Sequence, residues 1–367
     1  MRNLKFLAII PILLAYSIAG EPDPDSSLVD LFTKTKMNAE NGDAYAQFMV
    51  GQMYTWDKGG IPKNNVEAAK WYRKAADQGE VGAQWRLANM YLYGDGVPKN
   101  EAEAVKWYRK AAEQEHATCQ LILGGLYSRG QGVPKNEVEA VKWYRKAAEQ
   151  GGAVAQLQLG SMYANGTGVP KNDVEAVKWY RKAAEQGNAP AQVRLSSKYF
   201  SGKGVPKDNA EAYKWNLKAA EQGMMLAQRG TGIMNYNGEF FPKNYAEARK
   251  WFRKAADQGD AESQCFLADG YYKGEGTPKN NVEALKWYQK AAEQGHAKAQ
   301  YQMGSMYYFS HGVPKNEIEA YKWFLLCAAG GYDRAKKVIT ALETSISPEQ
   351  RAEGQRLASE LHKRLSP

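Results

Sequence analysis

The sequence predicts an all-α fold, an α-solenoid of eight 36-residue helix pairs closed at each end by capping helices. Two observations carry this. A proline recurs at Pro62, Pro98, Pro134, Pro170, Pro206, Pro242, Pro278 and Pro314, and a tryptophan at Trp71, Trp107, Trp143, Trp179, Trp215, Trp251, Trp287 and Trp323, so that every step is 36 residues (98 less 62, for example). A period of this size marks stacked units, none of which can bury its apolar face alone. Around each tryptophan the apolar residues keep helical spacing: Ala176, Trp179, Tyr180, Ala183 and Ala184 fall at i, i+3, i+4, i+7 and i+8. No stretch alternates with the period of two that a strand needs.

The chain of 367 residues opens with two positive charges, Arg2 and Lys5, followed by an almost wholly apolar run from Phe6 to Ala19 that ends on Ser17-Ile18-Ala19 before Gly20. This pattern is that of a secretory signal peptide over 1–19. Its apolar run of about 14 residues is shorter than the roughly 20 that span a bilayer. The residue after Ala19 is not a cysteine, so no lipid attachment is signalled, and no later apolar run stops transfer. The mature chain is expected to be exported, periplasmic or secreted, with no membrane span after cleavage.

Gly20 to Ser26 alternates acids with Pro22 and Pro24 and is expected to be a linker. Ser27 and Asp30 then resemble a capping box, and Leu28, Leu31, Phe32 and Thr35 place one apolar stripe on a helix that ends at Gly42. This N-terminal cap (20–42 with its linker) puts Lys34 at the tryptophan position, as suits a unit whose outer face meets water.

The eight repeats are expected over 43–331. In the second helix of each pair an N-cap Asn or Asp stands three residues before a Glu, from Asn64 and Glu67 through Asn172 and Glu175 to Asn316 and Glu319, so that the two side chains can satisfy two orphan backbone donors. A glycine such as Gly187 ends that helix. The first helix carries Ala155, Gln156, Leu159, Gly160, Met162 and Tyr163, and its small residues admit the second helix closely. Between the two lies a turn such as Asn165-Gly166-Thr167-Gly168-Val169-Pro170, whose glycines supply positive φ. Residues 332–367 are expected to form a C-terminal capping pair over Asp333 to Glu343 and Pro348 to Arg364, with Ser347 and Gln350 as a capping box and Leu357, Leu361 and Leu365 as the buried stripe.

The combination of Ala-x-x-Gln, Gly-x-Gly-Val-Pro-Lys-Asn and Glu-Ala-x-Lys-Trp-Tyr-x-Lys-Ala-Ala-x-Gln-Gly resembles the Sel1-like repeat family, and tetratricopeptide repeats are its nearest relatives. The resemblance implies a right-handed solenoid whose first helices line a concave, partner-binding side. Departures from the pattern cluster in turns: Trp56-Asp57-Lys58-Gly59-Gly60 in the first unit, Asn235 and Phe240-Phe241 in the sixth, Ser310-His311-Gly312 in the eighth.

Chemistry is sparse. The net charge of +9, or +7 without Arg2 and Lys5, is spread over helix surfaces and reads as solvated faces, so no nucleic-acid partner is expected. The Gly-x-Gly turns lack a following Gly-Lys-Ser/Thr and a preceding strand, which excludes a phosphate cradle. His116 and His296 share one repeat position at the start of a first helix and read as capping residues. Cys119 and Cys327 replace small residues on buried faces and read, with Cys265, as buried thiols rather than a disulfide framework. No cofactor, metal or catalytic residue is assigned. Some cysteine-rich Sel1-like proteins are associated with β-lactamase-type activity, but this chain has no Ser-x-x-Lys and no paired cysteines, so a hydrolase ranks third.

What remains is a surface. The position after the recurring Gln and those four and seven residues further on vary while their neighbours do not. They collect Phe48, Trp85, Asn89, Phe200, Arg229, Tyr236, Asp269, Tyr272, Tyr301 and Tyr308, which form the candidate partner site or, equally, a packing seam between first helices. The leading function is an exported, non-catalytic adaptor for a protein or peptide in the concave groove. The alternative is a module binding envelope polysaccharide or peptidoglycan, since exposed aromatics also suit sugar faces.

Overall fold

A computed structural model describes residues 24–56, 61–238 and 242–365. The signal peptide expected over 1–19, the linker before 24, the irregular turn residues 57–60 and the pair Phe240 and Phe241 lie outside the described residues, as do the side chains of Ser27 and Leu365. Among the described residues there are nineteen helices and no strand, and the chain divides into two compact units, one up to Trp179 and one from Tyr180.

The logic of a repeat is visible in the first unit, in the pair Val81–Tyr93 and Glu101–Glu113. The first of these ends on Gly94 in the left-handed conformation, and Gly96 follows with φ +72°. A Cβ on Gly96 would collide with the backbone of Asn65, at the start of the preceding repeat's second helix. The second glycine of the turn is thus an inter-repeat contact as well as a bend.

The second helix starts at Asn100, whose side chain accepts from the Glu103 amide at 3.0 Å. The reciprocal half of the expected capping box is not made. Asn100 donates its own amide to the Tyr91 carbonyl at 2.8 Å, and Glu103 instead accepts from Lys106 at 2.6 Å. The tight turn folds the cap amide under the end of the first helix, so the glutamate is left for a lysine one turn on.

Inside the pair, Tyr108 and Trp107 are buried, with Ala104, Ala111 and Ala112 beneath them. Glycine lets the helices touch: a Cβ on Gly124 would collide with the ring of Tyr144 in the following helix. The recurring tryptophans are buried except Trp179, which is half-buried at the end of the first unit. A lysine three residues on covers the ring in repeats of both units, as Lys110 covers Trp107 at 4.1 Å and Lys254 covers Trp251 at 3.9 Å from the centroid, whereas in the eighth repeat Leu326 stands there and Lys322 covers Trp323.

A buried glutamine of the first helix and an exposed one at the end of the second form a polar ladder, except in the eighth repeat, where Gly330 stands in the second place. Gln84 donates to the Ala76 carbonyl of the preceding repeat at 3.2 Å and accepts at 2.9 Å from Gln114, at the end of its own second helix. The second unit repeats this in Gln228, Ala220 and Gln258. There, however, Asn216 replaces the core tyrosine, and its side chain donates to the Ala227 carbonyl and to Thr231, which stands where other repeats have leucine, methionine or valine.

The ends differ from expectation in detail. The N-terminal helix runs Pro24–Glu40, beginning inside the expected linker, because proline is tolerated in a first helical turn. Leu31 faces solvent; the helix instead packs through Ala39 and Phe32, the latter edge-on against Tyr54. At the C-terminus, helices Arg334–Glu343 and Pro348–Leu365 follow the last repeat. Ser347 and Gln350 make both bonds of a capping box, and Ala358 and Leu361 are buried with Trp323 and Leu326.

Candidate functional site

The variable line of the first helices is held from one repeat to the next by its own side chains. In the first unit Phe48 is buried: its ring fills the space over Gly82, where a Cβ would collide with it, and it packs on Tyr72. Trp85 is half-buried, stacks on His116 of the next cap at 5.9 Å, and keeps its indole nitrogen buried without a hydrogen-bond partner. Asn89 accepts from the Tyr108 hydroxyl at 2.9 Å and donates to the Trp85 carbonyl.

In the second unit the same positions form a longer staircase. Phe200 is 44 % exposed. Arg229 pairs with Asp260 at 2.8 Å and Glu262 at 3.2 Å in the next repeat. Tyr236 donates to Glu275 at 2.9 Å, and its ring meets Tyr245, Phe252 and Phe266. Burial and then the bond to Glu275 push its phenol up to about 12. Asp269 is buried, accepts from Tyr288 and pairs with Lys298 at 2.5 Å. Burial pulls the Lys298 ammonium down, but the hydrogen bond to Asp269 and the negative charge around it together raise the pKa. Tyr272 hydrogen-bonds His311 at 2.7 Å, and Tyr301 lies against Phe324 and Tyr332. Tyr308 meets Phe309, which is 61 % exposed.

Eight of the ten line residues therefore keep an accessible edge, while Phe48 and Asp269 are interior and present no surface to a partner. Most of the others also touch the following repeat, so seam and surface coincide. Sequence reasoning missed Phe266, Glu275 and Lys298. Phe266 and Lys298 depart from their counterparts in the other repeats, which is the signal that was available, whereas Glu275 has the equivalents Glu239 and Asp95 and gave none.

His116 and His296 act as caps, each accepting through Nδ1 from a backbone amide at 3.2 Å, and burial lowers both pKa values. The three cysteines are buried and free. Burial raises Cys119 and Cys265 to about 12 and Cys327 to about 11, far from the reactive thiolate range. Among the described residues no cluster of three metal-ligating side chains occurs, and no helix is long and apolar enough to cross a membrane.

A family model described as the Sel1 repeat matches eight times, at 44–80, 81–116, 117–152, 153–188, 189–224, 226–260, 261–296 and 297–332. The solved structure of a Sel1 repeat protein from Oxalobacter formigenes is 31 % identical, covers 89 % of this chain and 95 % of its own, and superposes with a TM-score of 0.69. A protective antigen present in uropathogenic Escherichia coli strains, displaying an SLR fold, is 27 % identical over 92 % of this chain and 95 % of its own, with a TM-score of 0.56. Comparison with curated proteins finds no match.

Proposed function

The chain belongs to the Sel1 repeat family, and on that premise we propose that it is an exported, non-catalytic adaptor that binds a protein or peptide along its first helices. The fold is commonly a protein-interaction scaffold. The observation that carries the reading is the staircase of half-exposed Tyr236, Tyr272, Tyr301 and Tyr308 beside the exposed Phe200 and Phe309. Aromatic side chains are the usual anchors of protein interfaces, because they offer large contact area at low entropic cost. Tyr236 and Tyr301 are packed against neighbouring rings, which favours a partner that inserts between edges over a sugar that stacks on an isolated open ring.

The test is pull-down from envelope extracts beside a peptidoglycan-binding assay, using wild type, Phe200→Ala and Tyr272→Ala. A protein captured by the wild type and lost by variants whose melting curves show them folded is the expected result, with each variant costing about 2 kcal/mol or more of binding if it is an anchor. Capture of glycan instead of protein overturns the adaptor reading. Export is supported by the composition of residues 1–19. N-terminal sequencing of the protein recovered from the envelope or medium should begin at Gly20, and an intact Met1 in the cytoplasm would reject it.

A further inference from the structure

We propose that the partner of the first-helix face is an extended acidic segment seated on repeats 5 to 7 (189–224, 226–260 and 261–296), an inference that rests on the adaptor reading and specifies its ligand. The lysine of the Pro-Lys-Asn turn carries the argument. In repeats 2, 3 and 8 a glutamate two residues on neutralises it: Lys99 with Glu101 at 3.0 Å, Lys135 with Glu137 at 2.8 Å, Lys315 with Glu317 at 2.8 Å. In repeats 5, 6 and 7 that residue is Asn209, Tyr245 or Asn281, and Lys207, Lys243 and Lys279 are exposed and in no ion pair among the described residues.

The same three repeats carry Phe200, Tyr236 and Tyr272 at the end of the first helix, seven residues before the lysine (207 less 200). Lys207 lies 5.7 Å from the centroid of Phe200, and Lys279 5.7 Å from that of Tyr272. Repeat 1 shows that the pairing is not automatic, since Lys63 also precedes an asparagine, Asn65, but Thr55 stands at the aromatic position. Repeats 5 and 7 thus each offer one apolar edge beside one uncompensated ammonium, and repeat 6 carries the same two residue types at the same spacing in Tyr236 and Lys243.

The surrounding charge points the same way. The acids on the first helices are Glu262 and Asp269, which pair with Arg229 and Lys298. Glu275 in the seventh turn accepts from Tyr236 and lies 3.9 Å from Lys273. Arg194 and Lys198 add positive charge to the first helix of repeat 5, which carries no acid. An acidic occupant complements this face. Packed helices stand on the order of 10 Å apart and an extended chain advances about 3.3 Å per residue, so a carboxylate at every third residue matches the spacing. A single-stranded nucleic acid fits less well, because bases need open ring faces, and Tyr236 is packed by Tyr245, Phe252 and Phe266.

Fluorescence anisotropy on the full chain tests this with a labelled twelve-residue peptide, Glu-Leu-Gly repeated, against its Lys-Leu-Gly counterpart and a thymidine 12-mer. The acidic peptide should bind, weaken as salt rises, and lose about tenfold or more in affinity in the combined Lys207→Glu, Lys243→Glu, Lys279→Glu variant. Lys99→Glu with Lys135→Glu should leave it unchanged. Absence of acidic-peptide binding, equal or tighter binding of the basic peptide or the oligonucleotide, or an unaffected triple variant overturns the proposal. Melting curves check that the variants fold. If a protein captured from extracts is lost by Tyr272→Ala but kept by the triple lysine variant, the adaptor reading stands and the acidic ligand fails.

Discussion

Arg145 donates to the Tyr163 hydroxyl at 2.6 Å, joining the second helix of one repeat to the first helix of the next. Arg181 and Tyr199 repeat the bond at 2.6 Å in the second unit. One period further, both partners change together, to Leu217 and Asn235. Asn235 turns instead to the Tyr213 hydroxyl and the Thr231 carbonyl, within the polar cluster built around Asn216. A double-mutant cycle of Arg145→Leu and Tyr163→Phe should show a coupling of about 1 kcal/mol in urea unfolding. Strict additivity would mean that the bond contributes nothing across the repeat boundary.

Trp107 is 4 % exposed and lies mid-helix on the core face, so Trp107→Ala should cost about 3–5 kcal/mol. The nearby cap substitution Asn100→Ala removes one hydrogen bond and should cost about 0.5–2 kcal/mol. Comparison of denaturant midpoints checks the order, and the reverse ranking would misplace the core.

Gln120 donates to the Ala112 carbonyl at 3.0 Å and accepts from Gln150 at 2.8 Å, and it is 2 % exposed. Gln120→Ala leaves a buried carbonyl and an amide unpartnered, which should cost about 1–3 kcal/mol, more than the same change at an exposed glutamine. Thermal melts of Gln120→Ala and of Gln158→Ala, at an exposed glutamine, would show equal losses if the ladder were incidental.

Trp85 stacks on His116 and is half-buried, so Trp85→Ala should lower stability by about 2 kcal/mol, less than loss of a wholly buried tryptophan. It is therefore a poorer probe of binding than Phe200. An unchanged melting temperature would return Trp85 to the open surface.

The two cap histidines predict a pH effect. Burial depresses their folded pKa values below the unfolded value of about 6.5, so the unfolded chain binds more protons. Their contribution is present above that value and is lost as pH falls through the folded pKa. Urea midpoints should fall between pH 7.5 and about 5.5, and less steeply in the His116→Asn, His296→Asn variant, which keeps the cap without the titration. Equal slopes would refute the assignment.

The period, the helix pairs, the turn glycines and the caps were legible in the sequence, because each rests on local chemistry that the repeat restates: an N-cap such as Asn100 bonds three residues on, and a left-handed glycine such as Gly94 needs no distant partner. The partner groups of the long side chains were not legible. Glu103 has a backbone amide and a lysine within reach, and only the folded turn, which gives the Asn100 amide to Tyr91, decides for Lys106. The variable line shows the same division. Its residues could be read from their failure to repeat, but burial is set by what the next repeat places opposite: Gly82 opens a space that Phe48 fills, and Lys298 supplies the charge that allows Asp269 to be interior. Periodicity specifies what each unit contains, while the contact between successive units, made along this line by residues 29 to 39 positions apart, decides which side chains remain for a partner.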